Sequence, residues 1–112
     1  MKLRIVAGER GGRWIGRAED EETGRPFGIE CAGATEREAL ERMRRWLDWQ
    51  REHTAALEAL QSAERAYHRT IAGSAFANPA EEPGALEAQK ASLDVVDAAR
   101  NRLDEVRARR PE

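Results

Sequence analysis

The sequence predicts an α+β fold: a three-stranded antiparallel β-meander, then a long helix and a second helix that form an antiparallel helical hairpin. Three observations carry this expectation. The first thirty or so residues hold three short strand-like runs, the first and third with apolar residues on alternate positions, separated by glycine-bearing turns. Thr35–Ile71 then keeps its apolar residues at helical spacing. Ala85–Arg109 does so again, after a stretch punctuated by Gly73, Asn78-Pro79 and Glu82-Pro83-Gly84. The chain divides on this reading into residues 1–49, a small sheet with the first half of the long helix, and residues 50–112, the helical hairpin.

Lys2–Ala7 alternates, with Leu3, Ile5 and Ala7 on one face. Gly8-Glu9-Arg10-Gly11-Gly12 reads as a hairpin turn, because its glycines accept positive φ. Arg13–Glu19 is a second strand containing Trp14 and Ile15. Asp20-Glu21-Glu22-Thr23-Gly24 is a polar turn, and Arg25–Ala32 a third strand with Phe27, Ile29 and Cys31 on one face. Pro26 suits the first residues of a strand or an edge position. Two short turns make the arrangement a meander. Its apolar face needs a cover, and the first half of the long helix supplies one.

The long helix starts at a capping box. Thr35 can accept from the Glu38 N–H, and the Glu38 carboxylate can return to the Thr35 N–H. Glu38–Arg42 and Glu41–Arg45 are spaced as i,i+4 ion pairs. Gly73 reads as the C′ residue, with Arg69 in the last turn. The apolar stripe drifts. Ala39, Leu40, Met43, Trp46 and Leu47 share one face in the first half, whereas Leu57, Leu60, Tyr67 and Ile71 lie about 100° away in the second. The two halves therefore pack on different things, through one continuous helix or through a bend or break near Gln50–Thr54. Phe76 is expected to fold back onto the helices. The stripe of the second helix is Leu86, Leu93, Val96, Ala99, Leu103 and Val106, with Arg107, Arg109 and Arg110 at its negative end and Pro111 as its stop.

The order β-β-β-α and the junction Gly33-Ala34-Thr35-Glu36-Arg37-Glu38-Ala39-Leu40 resemble the N-terminal domain of HicB-type antitoxins. Those domains pair glycine-bearing strands with a G-x-T-x-x-E-A-L helix start, and Trp14-Ile15-Gly16 adds to the likeness. The resemblance covers residues 1–49. It implies a non-catalytic domain that binds a small RNA-cleaving toxin, and it carries over no catalytic residues. The family usually continues into a helix-turn-helix or ribbon-helix-helix for operator DNA. Here a helical hairpin follows instead, which takes support from operator binding.

Composition narrows the function further. With 36% charged residues and a formal net charge of −2, the chain has no global basic field to draw it to nucleic acid. Arg10, Arg13, Arg17 and Arg25 with Trp14 could still present a basic, aromatic sheet surface to a partner or to RNA, although acidic residues lie among them. Cys31 is the only cysteine, so no intrachain disulfide forms, and its reading is a small strand hydrophobe. His53 and His68 are too far apart along one helix to share a metal ion. No nucleophile constellation or phosphate loop is present, and no cofactor is expected. Met1–Ala7 lacks the apolar core of a signal peptide and no run approaches transmembrane length, so a cytoplasmic protein is expected, with no membrane partner. The hairpin carries more apolar width than two helices can bury against each other. A homodimer through Leu57, Leu60, Tyr67, Ile71, Leu93, Val96 and Leu103, packed as a four-helix bundle, is the expected resolution.

Overall fold

The computed structural model describes residues 2–75 and 84–111. Its elements are β1 (Leu3–Arg10), β2 (Arg13–Asp20), β3 (Pro26–Gly33), α1 (Glu36–Ala75) and α2 (Ala85–Ala108). The fold is α+β, with strands β1-β2-β3 antiparallel in sequence order. The expectations for Phe76, Asn78-Pro79 and Glu82-Pro83 fall outside the described residues. The chain forms two compact units, Met1–Gln50 with Arg110–Glu112 and Arg51–Arg109.

The first unit is built around small residues. The β1–β2 turn is shorter than the sequence suggests. Only Gly11 and Gly12 are needed, at φ 59° and 79°, which are the two left-handed residues of a type I′ hairpin. Gly8, Glu9 and Arg10 belong to β1, where they pair with Ile15, Trp14 and Arg13. Asp20 closes the second turn by accepting the Glu22 N–H on its side chain at 2.8 Å and the Gly24 N–H on its carbonyl at 2.8 Å.

β3 does not keep simple alternation. Gly16 pairs with Cys31 but Ala18 with Phe27, so Gly28, Ile29 and Glu30 stand opposite the single residue Arg17. Gly28 takes φ 75° at this bulge. Phe27 and Cys31 still pack on the core, whereas Ile29 is 42% exposed. The expected Phe27–Ile29–Cys31 face is thus corrected to Phe27 and Cys31, because the bulge carries Ile29 off the core.

The start of α1 lies directly on the sheet. A Cβ on Gly16 would come within 2.5 Å of the Ala39 carbonyl oxygen, and one on Gly33 within 2.6 Å of the Ala39 nitrogen. Two glycines therefore allow helix backbone to meet strand backbone over the fully buried Ala39. Met43, Trp46 and Leu47 follow on the same helix face and join Ala18 in the core, with Leu3, Ile5, Phe27, Cys31 and Trp49 around them. Burying a side chain the size of Met43 contributes about 1.5–3 kcal/mol.

Thr35 caps α1 by accepting the Glu38 N–H at 3.1 Å. The returning bond differs from the expected one: the Glu38 carboxylate accepts from Ala34 N–H at 3.3 Å rather than from Thr35. Glu38–Arg42 forms at 2.9 Å, but Glu41 pairs backwards with Arg37 at 3.3 Å instead of forwards with Arg45. α1 is one uninterrupted helix through Gln50–Thr54. It also continues through Gly73 to Ala75, so Gly73 is not its C′ residue and Arg69 is not in its last turn.

The second unit is an antiparallel hairpin with heptad spacing. On α2, the described residues withdrawn from solvent are Ala85, Gln89, Ser92, Val96, Ala99, Leu103 and Val106, at alternating steps of 4 and 3. On α1, the matching series is His53, Ala56, Leu60, Ala63, Tyr67 and Thr70. Three contacts fix the register: Thr70 Oγ1 lies 3.2 Å from Ser92 Oγ, Arg107 Nε donates to His53 Nε2 at 3.5 Å, and Arg109 pairs with Glu52 at 3.6 Å. Ala56 and Ala63 on α1 and Val96, Leu103 and Val106 on α2 are the buried residues of this seam.

Candidate interaction surfaces

Pairing across β1 and β2 sorts the strand residues between the two faces of the sheet, because successive side chains alternate. Ile5 and Ala18 face α1, and so does Trp14, two steps from Gly16 and paired with Gly33. Arg4, Arg10, Arg13 and Arg17 lie on the other face. The basic cluster and its aromatic residue are therefore not brought together. Arg25 is separate again, at the turn before β3, where its N–H donates to Thr23 Oγ1 at 3.3 Å.

The outer face is also neutralised locally. Glu19, only 9% exposed, accepts from Arg4 at 2.7 Å and lies 3.6 Å from Arg17. Arg10 donates to Glu30 at 3.0 Å. Three of the arginines on that face are thus held by carboxylates that a phosphate backbone would have to displace.

A cleft of about 410 Å³ opens where the β1–β2 turn and the end of β3 meet the start of α1. Arg13, Arg42, Glu38 and the backbone of Gly33 and Ala34 line it. Two of its donors, Arg42 and the Ala34 N–H, are engaged from within. Arg42 donates to the Ala32 carbonyl at 2.7 Å and pairs with Glu38, whose carboxylate also takes the Ala34 N–H. The Glu38 carboxylate thus lies against the Arg42 and Ala34 donors of the cleft, where its charge opposes the binding of an anion. Cys31, nearby in β3, has its thiol pKa raised by burial, with the Arg42 charge opposing in part. That is the setting of a structural thiol, not an activated one. Among the described residues, no group of three or more His, Cys, Asp or Glu is placed to hold a metal ion, and no helix is long and apolar enough to cross a membrane.

The hairpin surface separates the seven residues expected at an interface. Leu60 and Tyr67 lie on the seam of α1, and Val96 and Leu103, each 3% exposed, on that of α2. These four face within the chain. Ile71 and Leu93 are exposed, and Leu57 is half-buried like Leu60: each of the three sits one position beyond a seam residue, on a single flank of the hairpin. Leu86 shares that flank and is 79% exposed, with Leu93 at 41% and Ile71 at 40%. Glu64 lies on the same flank, half-buried between Leu57 and Ile71 on α1, and makes no ion pair among the described residues. The opposite flank carries the Arg109–Glu52 pair at one end, with Ala59, Ala66 and Val95, the last 58% exposed. Sequence reasoning places the apolar residues on the right helices but merges seam and flank into one stripe. The 3.5-residue spacing is the signal that parts them.

No protein-family model, curated protein or solved structure matches the chain.

Proposed function

We propose that the chain is a non-catalytic protein-interaction module that self-associates through one flank of its helical hairpin. The observation that carries this reading is the row of large apolar side chains, Leu57, Ile71, Leu86 and Leu93, lying beside a seam that is already filled. Exposed apolar side chains gathered on one helical face mark an association surface. Light scattering at micromolar concentration tests it. The expected mass is twice the 12.6 kDa chain, and Leu93→Asp should return the protein to one chain without loss of helical circular dichroism. A single-chain mass for the unaltered protein rules the reading out.

An antitoxin-like role, with the sheet-bearing unit binding and restraining a small partner protein, is a second reading. It is supported by the β-β-β-α order and by the seating of Ala39 on Gly16 and Gly33, which gives a physical reason for the glycines and alanine of the junction. An adjacent gene for a short RNase-like protein, co-purifying with this one, is the expected finding. A nucleic-acid-binding role is less well supported, because Trp14 and the arginines occupy opposite faces. Binding to mixed DNA and RNA that weakens steeply with salt would revive it.

A further inference from the structure

We infer that the second copy packs on the Leu57–Ile71–Leu86–Leu93 flank with the two hairpins parallel, loop ends together, about a twofold axis that runs along them. This rests on the proposed self-association and adds its geometry. The argument is one of charge position on a face that must meet itself. In the register fixed by the Thr70–Ser92 and His53–Arg107 contacts, Ile71 lies at a level between Leu86 and Leu93, Glu64 between Leu93 and Arg100, and Leu57 between Arg100 and Arg107. The flank is thus apolar at its loop end. Further along, Glu64 on α1 stands near the level of Arg100 on α2, whose outer rim also carries Asp97 and Asp104.

A twofold axis along the hairpins sets α1 of one copy against α2 of the other at the same level. Ile71 then meets the second copy's Leu86 and Leu93, and Leu57 meets the aliphatic stems of its arginines. Glu64, half-buried and without an ion pair among the described residues, comes within reach of the second copy's Arg100. Arg100 is held in its own chain only loosely, 3.9 Å from Asp97. An axis perpendicular to the hairpins does the reverse. Centred on the flank, it places Glu64 on the second copy's Glu64 and sets Leu86 and Leu93 against Arg107 and Arg100. Two like carboxylates forced together in a partly dry interface disfavour that arrangement. Sliding the copies until only the loop ends overlap removes the clash, but leaves Leu57 and Glu64 uncovered.

Disulfide trapping distinguishes these arrangements. Gln61 and Asp97 are exposed on the rims of this flank at similar levels, Gln61 on α1 and Asp97 on α2. In a Cys31→Ala background, chains carrying Gln61→Cys are mixed with chains carrying Asp97→Cys, re-equilibrated and oxidised. The parallel arrangement brings these rims together, so the mixed disulfide should account for most of the cross-linked product. The perpendicular arrangement instead brings Gln61 near the second copy's His68, and a mixture of Gln61→Cys with His68→Cys should then cross-link preferentially. A dimer by light scattering that yields this second product, or neither, overturns the parallel packing and leaves self-association standing. A single-chain mass overturns both.

Discussion

Thr35 holds the start of α1 through one hydrogen bond, the 3.1 Å acceptance of the Glu38 N–H. Thr35→Ala removes that acceptor and should lower stability by about 1 kcal/mol. A denaturation midpoint that does not move would place the effective cap elsewhere. Ala39 shows why the junction residues are small. A Cβ at Gly16 or Gly33 would meet its backbone below 3.0 Å, so neither position accepts a side chain without shifting the helix. Cys31 ties stability to alkaline pH. Burial raises its pKa in the folded chain, so folding favours the protonated thiol. The sign follows: that contribution is fully present below the pKa of the unfolded thiol and is lost as pH rises through the folded value. Stability should therefore fall more steeply above the ordinary thiol range in the native chain than in Cys31→Ala. Parallel pH curves for the two would show that the thiol is not shielded.

At the scale of elements, the meander, the capped start of α1 and the position of α2 are all legible in the sequence, because periodicity, glycine turns and a capping box act locally. The misreadings have equally local causes. Ile29 leaves the core because a bulge at Gly28 breaks the alternation, and a single glycine in a strand does not reveal how many residues a bulge will hold. Gly73 reads as a stop because glycine is favoured there, yet the helix continues past it to Ala75. Trp14 and the arginines read as one surface because they are neighbours in the chain, while the pleat sends them to opposite faces. Trp46 shows the cost of close packing between α1 and β3. Its ring covers Gly28 so tightly that a Cβ there would lie 2.3 Å from it, and its buried Nε1 has no hydrogen-bond partner among the described residues. Trp46→Ala should destabilise by about 3–5 kcal/mol through lost contact and cavity. Trp46→Phe should cost much less, since it also removes a donor that is buried without an acceptor. Equal losses for the two variants would show that the indole N–H is satisfied in solution.

For the whole molecule, the consequence of self-association is mass action. All three tryptophans, Trp14, Trp46 and Trp49, belong to the unit with the sheet, whereas most of the helix lies in the unit spanning Arg51–Arg109. Indole fluorescence and helical circular dichroism therefore report on different units. If the flank bearing Leu86 and Leu93 is covered by a second copy, hairpin stability includes the association free energy, which changes by about 1.4 kcal/mol per dimer for each tenfold change in concentration. In a chain of this length, that moves the thermal midpoint by a few degrees. The helical midpoint should accordingly rise across a hundredfold range of concentration, and the rise should vanish in Leu93→Asp. The contrast with Leu103 separates a flank effect from general damage to the hairpin. Leu103 lies on the seam, so Leu103→Ala should lower the midpoint at every concentration, by about 2–5 kcal/mol of stability, while leaving its concentration dependence in place. A helical midpoint of the native chain that stays constant over that range would mean that no second copy covers the flank.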